Sequence, residues 1–197
     1  DYAAAAKEYE QALKAVPNNL PATLKLAGLY ELTGDNRQAQ NYYQQASNSG
    51  AASATLAYAG HLSRTGEQNK ALEVLQTASA AQPDDPNLIR ALGLALQADD
   101  NFDAASSAFQ RLEEISPGNG LPLLVEAYLS RGDVAAASEI AGRVIAEYPS
   151  AEYGYLLQAL IHEQRREWPE AEANLERGID ACELDLNLQL KLANVYA

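Results

Sequence analysis

Residues 86–119 read PNLIRALGLALQADDNFDAASSAFQRLEEISPGN and contain two amphipathic helical patterns. In the first half, apolar or small residues recur at the spacing that places them on one helix face, at Ile89, Leu92, Gly93 and Leu96. The second half repeats the pattern at Phe102, Ala105, Phe109 and Leu112. A polar break at 98–101 separates the halves, and Pro117 ends the second. One helical hairpin cannot bury both apolar faces, so the stretch predicts similar neighbours.

The same two patterns recur along the whole chain. A small residue marks the middle of each second helix, at spacings of 34, 32, 34, 32 and 34 residues: Ala5, Ala39, Ala71, Ala105, Ala137 and Ala171. Alanine at this point lets two helices approach closely. Each first helix carries its own pair, namely Leu26-Ala27, Tyr58-Ala59, Leu92-Gly93, Leu124-Val125, Gln158-Ala159, and Leu192-Ala193 with Tyr196. Glycine at Gly34, Gly66 and Gly132 predicts a left-handed turn between paired helices.

This phased pattern resembles the tetratricopeptide repeat (TPR) family. In the copy 86–119, the family's core positions fall on Leu92, Gly93, Leu96, Ala105, Phe109, Leu112 and Pro117. The resemblance covers essentially the whole chain. It implies an all-α fold, a right-handed α-solenoid of helix-turn-helix repeats.

The phasing predicts one array over residues 1–197. A second helix of a truncated repeat fills 1–17, and a first helix of another fills 186–197. Five helix pairs lie between them, at 18–51, 52–85, 86–119, 120–151 and 152–185. Because both ends fall inside helical patterns, we expect a fragment of a longer chain.

Some copies depart from the regular pattern. The copies near Leu20 and Leu121 are two residues short, and in the first of them the shortening falls at 48–50. In the fifth pair Arg165-Arg166-Glu167 replaces the turn glycine. Gln158 and His162 also occupy positions that are usually apolar there. A register shifted by two residues therefore stays open, with Tyr153, Leu156, Leu157 and Leu160 in the core.

The formal net charge is −13, and residues 101–197 carry most of it. Such acidity indicates either a solvated surface or attraction to a basic partner, and it disfavours nucleic-acid binding. No apolar run approaches the roughly 18 residues of a membrane span. The single Cys182 excludes an internal disulfide and leaves the compartment open, so the cell envelope and the cytoplasm are both compatible.

No residue pattern predicts catalysis, a metal or a cofactor, so we do not expect an enzyme. His61 is predicted at the surface, His162 as a core or half-buried filler, and Cys182 as structural or incidental. The acidic pairs at 84–85, 99–100 and 113–114 stand at helix ends, where they are expected to cap helices or to be solvated.

The resemblance implies a protein–protein interaction scaffold whose first helices line a concave groove for a peptide or partner helix. The lysine and asparagine clamp that some members use for a terminal carboxylate is absent, because Leu24 and Gly28 stand there. The predicted groove residues are Leu24, Lys25, Leu56, Arg64, Asn87, Arg90, Leu94, Glu126, Tyr153, Leu156, Lys191 and Asn194.

Two alternatives remain at this stage. Tyr153, Tyr155 and Trp168 either pack the irregular fifth pair or anchor a partner. The chain as a whole resembles, in style, repeat proteins of bacterial envelope and exopolysaccharide-export machines. That likeness suggests a structural or spacer segment, with homo-oligomers forming through open repeat ends.

Overall fold

The computed structural model describes residues 2–182 and 186–195, and these form twelve α-helices and no strand. The all-α class is therefore confirmed. Tyr196, predicted in the core of the last helix, and residues 183–185 lie outside the described part. The helices are α1 (Tyr2–Ala15), α2 (Leu20–Leu32), α3 (Asn36–Ser47), α4 (Ala52–Arg64), α5 (Gln68–Ala81), α6 (Pro86–Ala98), α7 (Phe102–Ile115), α8 (Leu121–Ser130), α9 (Val134–Glu147), α10 (Glu152–Gln164), α11 (Trp168–Ala181) and α12 (Leu186–Val195).

The chain forms two compact units, with the boundary between Ala105 and Ser106 inside α7. In the first unit, each helix from α1 to α6 packs against the next one along the chain. The first helix α4 also contacts the first helices α2 and α6. In the second unit, α8 to α12 pack in the same sequential way, and α10 contacts α8 and α12. Each unit therefore carries a row of three adjacent first helices.

The predicted small residues of the second helices lie in the core. Five of them are at most 1% exposed, namely Ala39, Ala71, Ala105, Ala137 and Ala171. In α1 the prediction is one residue out, because Ala6 is buried and Ala5 is half-buried. Alanine at the buried positions leaves room for the neighbouring helix to approach.

Helix α10 keeps the unshifted register. Ala159 is completely buried. Of the residues that the shifted register places in the core, Leu157 is buried, whereas Tyr153, Leu156 and Leu160 are only half-buried. The polar residues of this helix find partners: Gln158 Nε2 donates to the Ser138 carbonyl at 3.3 Å, and His162 Nδ1 lies 2.8 Å from Glu167 Oε2. His162 is half-buried, as predicted.

The hairpin turns share one backbone conformation. Gly34, Gly66 and Gly132 have φ between 76° and 85°, which confirms the predicted left-handed turns. Asp100 (φ 56°) and Arg166 (φ 60°) take the same conformation without glycine. In each of these turns the next amide donates to a carbonyl five residues earlier, as in the bond from Glu167 to His162 at 2.9 Å. The turn geometry is thus kept even where the sequence supplies a strained residue.

Arg166→Gly is expected to raise the free energy of unfolding by about 0.5–1 kcal/mol, because a non-glycine residue at positive φ is strained and glycine is not. The reciprocal control, Gly132→Arg, should lower it by a similar amount, since Gly132 has φ 76° and open space around it. Urea denaturation followed by circular dichroism measures both. If both variants had the same free energy of unfolding as the wild type, the left-handed turn conformation would have no energetic consequence.

The second shortened copy loses helix at its start. Helix α8 has 10 residues, whereas α6 and α10 have 13. The Glu113 carboxylate caps the buried start of α8: it accepts from the amides of Gly118 (2.7 Å), Gly120 (2.9 Å) and Leu121 (3.1 Å). It also accepts from the Tyr148 hydroxyl at 3.2 Å. A side chain of α7 therefore replaces the missing helical turn.

The shortening in the first unit is at the end of a second helix. Helix α3 ends at Ser47 after 12 residues, whereas α5 has 14.

One of the acidic pairs caps a helix as expected. At the start of α6, Asp85 Oδ1 accepts from the amides of Asn87 (2.9 Å) and Leu88 (3.0 Å).

Candidate functional site

The predicted groove residues all lie on first helices. Seven are in the first unit, on α2, α4 and α6, and five are in the second, on α8, α10 and α12. The exposed ones are Lys25, Arg64, Asn87, Arg90, Leu94, Glu126 and Asn194. The half-buried ones are Leu24, Leu56, Tyr153, Leu156 and Lys191. Their use in binding stays a prediction.

A carboxylate on α2 links two of the first helices of the first unit, α2 and α4. Glu31 lies 2.9 Å from His61 Nδ1, and the Arg64 guanidinium donates to both of its oxygens at 3.0 Å. The Tyr43 hydroxyl of α3 donates to the same carboxylate at 3.0 Å. Glu31 therefore bonds to α3 and α4 together, and Arg64, predicted as a groove contact, is held in an ion pair although 59% of its side chain is exposed.

His61 is completely buried, so its predicted surface position is wrong. Its ring packs against Tyr43 with the centroids 5.1 Å apart, and Nδ1 must carry the proton that Glu31 accepts. Nε2 is buried without a hydrogen-bond partner. Helix periodicity missed this burial because the partner carboxylate belongs to the preceding repeat.

Charge and burial act in opposite directions on Glu31. Burial disfavours its ionised form, but the hydrogen bonds from His61, Arg64 and Tyr43 outweigh burial and hold the pKa of Glu31 below its ordinary 4.5. Burial, followed by the bond to Glu31, raises the pKa of the Tyr43 hydroxyl to about 12. The cluster is therefore an ionised carboxylate surrounded by donors at neutral pH.

A similar ion pair joins first helices in the second unit. Lys191 Nζ of α12 lies 2.8 Å from Glu163 Oε2 of α10, and both side chains are largely covered. Tyr153 packs its hydroxyl close to Gly118, and its ring centroid is 6.3 Å from that of Tyr148. Burial, first among the causes, raises the pKa of Tyr153 to about 12. Lys191 and Tyr153 are thus both engaged inside the unit.

The aromatic residues near the fifth pair separate into two kinds. Tyr155 is buried and its hydroxyl donates to the Pro149 carbonyl at 3.0 Å, so it packs the fold. Trp168 is 50% exposed at the start of α11. Leu186 and Leu190 of α12 are also exposed.

Two glycines lie on the first-helix row of the first unit. An added Cβ at Gly28 would come no closer than 3.7 Å to the Tyr43 hydroxyl, and one at Gly60 would meet only the flexible end of Arg64 at 3.2 Å. Packing within the unit therefore leaves room for a side chain at Gly28, whereas one at Gly60 requires a small shift of Arg64, which is bonded to Glu31. Glycine costs a helix up to about 1 kcal/mol relative to alanine. Glycine inside a predicted helix is visible in the sequence. It does not by itself show whether a neighbouring helix packs too closely for a side chain or whether a side chain would fit.

Several clefts lie along the helices of the first unit, and two of them bear on the predicted groove. One of about 650 Å³ lies between α1 and α2 and includes the predicted groove residues Leu24 and Lys25, beside Tyr2 and Tyr9. The other, of about 480 Å³, lies beside α3 and α5 and is lined by residues that include Tyr58 and Thr77. The second cleft was not expected from the sequence, because it opens at the junction where α3 is two residues short.

The described residues contain no group of three or more His, Cys, Asp or Glu that could hold a metal ion. Over residues 2–182 and 186–195, no helix combines the length and apolarity needed to cross a membrane.

The sequence matches two family models that share the description tetratricopeptide repeat. One matches residues 1–54 and 96–161, which is more than half of the chain, and the other matches residues 63–120. No curated protein matches the sequence.

Solved structures are similar in fold. A tetratricopeptide repeat protein from Parabacteroides merdae has 20% identity and a TM-score of 0.67, covering 98% of this chain and 80% of that one. YrrB, described as a TPR protein with an unusual peptide-binding site, has 17% identity and a TM-score of 0.57, with 96% and 99% covered. Cut9-Hcn1, an APC/C hetero-tetramer, has 17% identity and a TM-score of 0.59; all of this chain matches 40% of the length of that one.

Proposed function

The chain belongs to the tetratricopeptide repeat family, and we propose from this premise that it is a protein-binding scaffold whose first-helix rows receive a peptide or a helix of a partner. The family's fold generally serves as a protein–protein interaction scaffold and is typically non-catalytic. The binding mode is display of a preformed surface, without bond-making.

The adjacency of the first helices carries this proposal. In the first unit α4 contacts both α2 and α6, so side chains from three helices share one surface. Leu24 and Leu56 are half-buried there, and Leu94 is 45% exposed. Gly28 on α2 and Gly60 on α4 have no side chain to project from this surface, so a partner backbone can approach the two helices closely.

A blocking experiment tests the location. Random peptides displayed on phage are selected on the protein, and the affinity of the selected peptides is then measured for the double variant Gly28→Gln/Gly60→Gln. The added side chains should weaken binding roughly tenfold or more, because they fill the surface, and the melting temperature checks that the variant stays folded. The matched control is Thr77→Gln, which places a longer side chain in the 480 Å³ cleft beside α3 and α5.

The two variants separate the surfaces. Binding that survives the glycine double variant and is lost with Thr77→Gln would assign the peptides to the second-helix cleft and contradict the proposal. Failure to select any peptide would also count against a peptide-binding role. Self-association through α12 and α1 stays a prediction, motivated by the exposed Leu186, Leu190 and Tyr2.

A further inference from the structure

We propose that the first-helix row of the first unit, formed by α2, α4 and α6, binds an acidic segment of a partner protein in which carboxylates alternate with apolar side chains. This inference rests on the proposed function, because it names the partner chemistry for the same row. It is specific to the first unit.

The charge distribution carries the inference. Helices α2, α4 and α6 contain three basic residues, Lys25, Arg64 and Arg90, against one acidic residue, Glu31. The rest of the chain up to residue 105 contains four basic and eleven acidic residues. The row is therefore the basic stripe of an acidic unit, and this sign favours a negatively charged partner.

The one carboxylate on the row does not cancel this attraction. Glu31 is already bonded to Arg64, His61 and Tyr43, so its charge is compensated inside the cluster. Lys25 and Arg90 are exposed on the helices either side of α4. A partner carboxylate near these two exposed side chains would be attracted to their positive charge.

Apolar side chains share the surface with these cations. Leu94 is exposed on α6, and Leu24 and Leu56 are half-buried on α2 and α4. Such a surface fits a segment in which leucine or a similar residue contacts the row while acidic residues contact its cations. A nucleic acid would supply negative charge but no apolar side chains.

The second unit provides an internal contrast. Its first helices α8, α10 and α12 contain Glu126, Glu152 and Glu163 against the single base Lys191, which is paired with Glu163. The sign of the row is thus reversed, and the same acidic segment is not expected to bind there.

The test uses fluorescence anisotropy with three labelled probes of equal length: a peptide that alternates glutamate and leucine, the same peptide with lysine for glutamate, and single-stranded DNA. The test variant is Lys25→Glu/Arg90→Glu. The control, Arg37→Glu/Lys70→Glu, makes the same change in net charge on the second helices α3 and α5. Circular dichroism checks folding, and Lys25→Gln/Arg90→Gln replaces the test variant if charge reversal unfolds it.

The glutamate peptide should bind the wild type, more weakly as salt rises. The lysine peptide can bind acidic surfaces of this protein of net charge −13, but that binding should not be weakened by changes at Lys25 and Arg90. The test variant should lose affinity for the glutamate peptide roughly tenfold and gain affinity for the lysine peptide, whereas the control should change little. Equal loss in test and control variants, or DNA binding that depends on the same two cations, would overturn the inference.

The two proposals can fail separately. Selected peptides that Gly28→Gln/Gly60→Gln blocks, but that carry no excess of acidic residues, would refute the acidic partner and leave the binding row intact. Peptides that bind elsewhere would refute the row itself.

Discussion

Replacing Gly120 by alanine is expected to lower the free energy of unfolding of the second unit by about 4 kcal/mol, through backbone overlap and lost hydrogen bonds. A Cβ on Gly120 would lie 2.1 Å from the Phe109 carbonyl oxygen and 2.5 Å from the Glu113 amide nitrogen. Both are backbone atoms of α7, so no side chain can rotate away. The start of α8 would have to move, and the hydrogen bonds from Gly120 and Leu121 to the Glu113 carboxylate would be lengthened.

The matched control is Gly142→Ala in α9 of the same unit. Its added Cβ would come no closer than 3.7 Å to Gln158 Nε2, so the gain in helix propensity should raise the free energy of unfolding by up to about 1 kcal/mol. Urea denaturation monitored by circular dichroism gives both values. A Gly120→Ala protein within about 1 kcal/mol of the wild type would mean that α8 does not rest on the α7 backbone as described.

The contrast between these glycines shows what sequence could predict. Helical periodicity and the recurring alanines were sufficient for the helices and their buried faces, because close helix packing imposes its own spacing. The turn glycines followed from helix ends in the same local way. The role of Gly120 did not, since the approach of α8 to α7 depends on where the chain returns after a shortened repeat.

The candidate site has the same limit. Which residues lie on the first helices followed from the phase of the repeats. The burial of His61 and the ion pairs of Arg64 and Lys191 could not be predicted in this way. Their carboxylate partners, Glu31 and Glu163, lie about one repeat earlier in the sequence. A pattern confined to one helix distinguishes faces, and it does not reveal which polar groups another helix has already bonded.

The Glu31 cluster gives the second large expected effect. At pH 7, Glu31→Ala should lower the free energy of unfolding by about 2–3 kcal/mol, because His61 Nδ1 and the Tyr43 hydroxyl lose their acceptor. This is below the cost of breaking a fully buried pair, since about a quarter of the Glu31 side chain is exposed to solvent. Glu73→Ala, on the exposed side of α5, is the control and should stay within about 0.5 kcal/mol of the wild type.

The pH dependence identifies the carboxylate as the source of this stability. The folded pKa of Glu31 lies below its ordinary 4.5, so folding favours the ionised form. Its contribution is complete above that value and is lost as the pH falls through the folded pKa. The difference between the wild type and Glu31→Ala should therefore be constant from neutral pH down to about 5 and then shrink in acid. A difference that stays unchanged to pH 3 would attribute the effect to packing of the side chain, because protonating Glu31 would then have cost the wild type nothing.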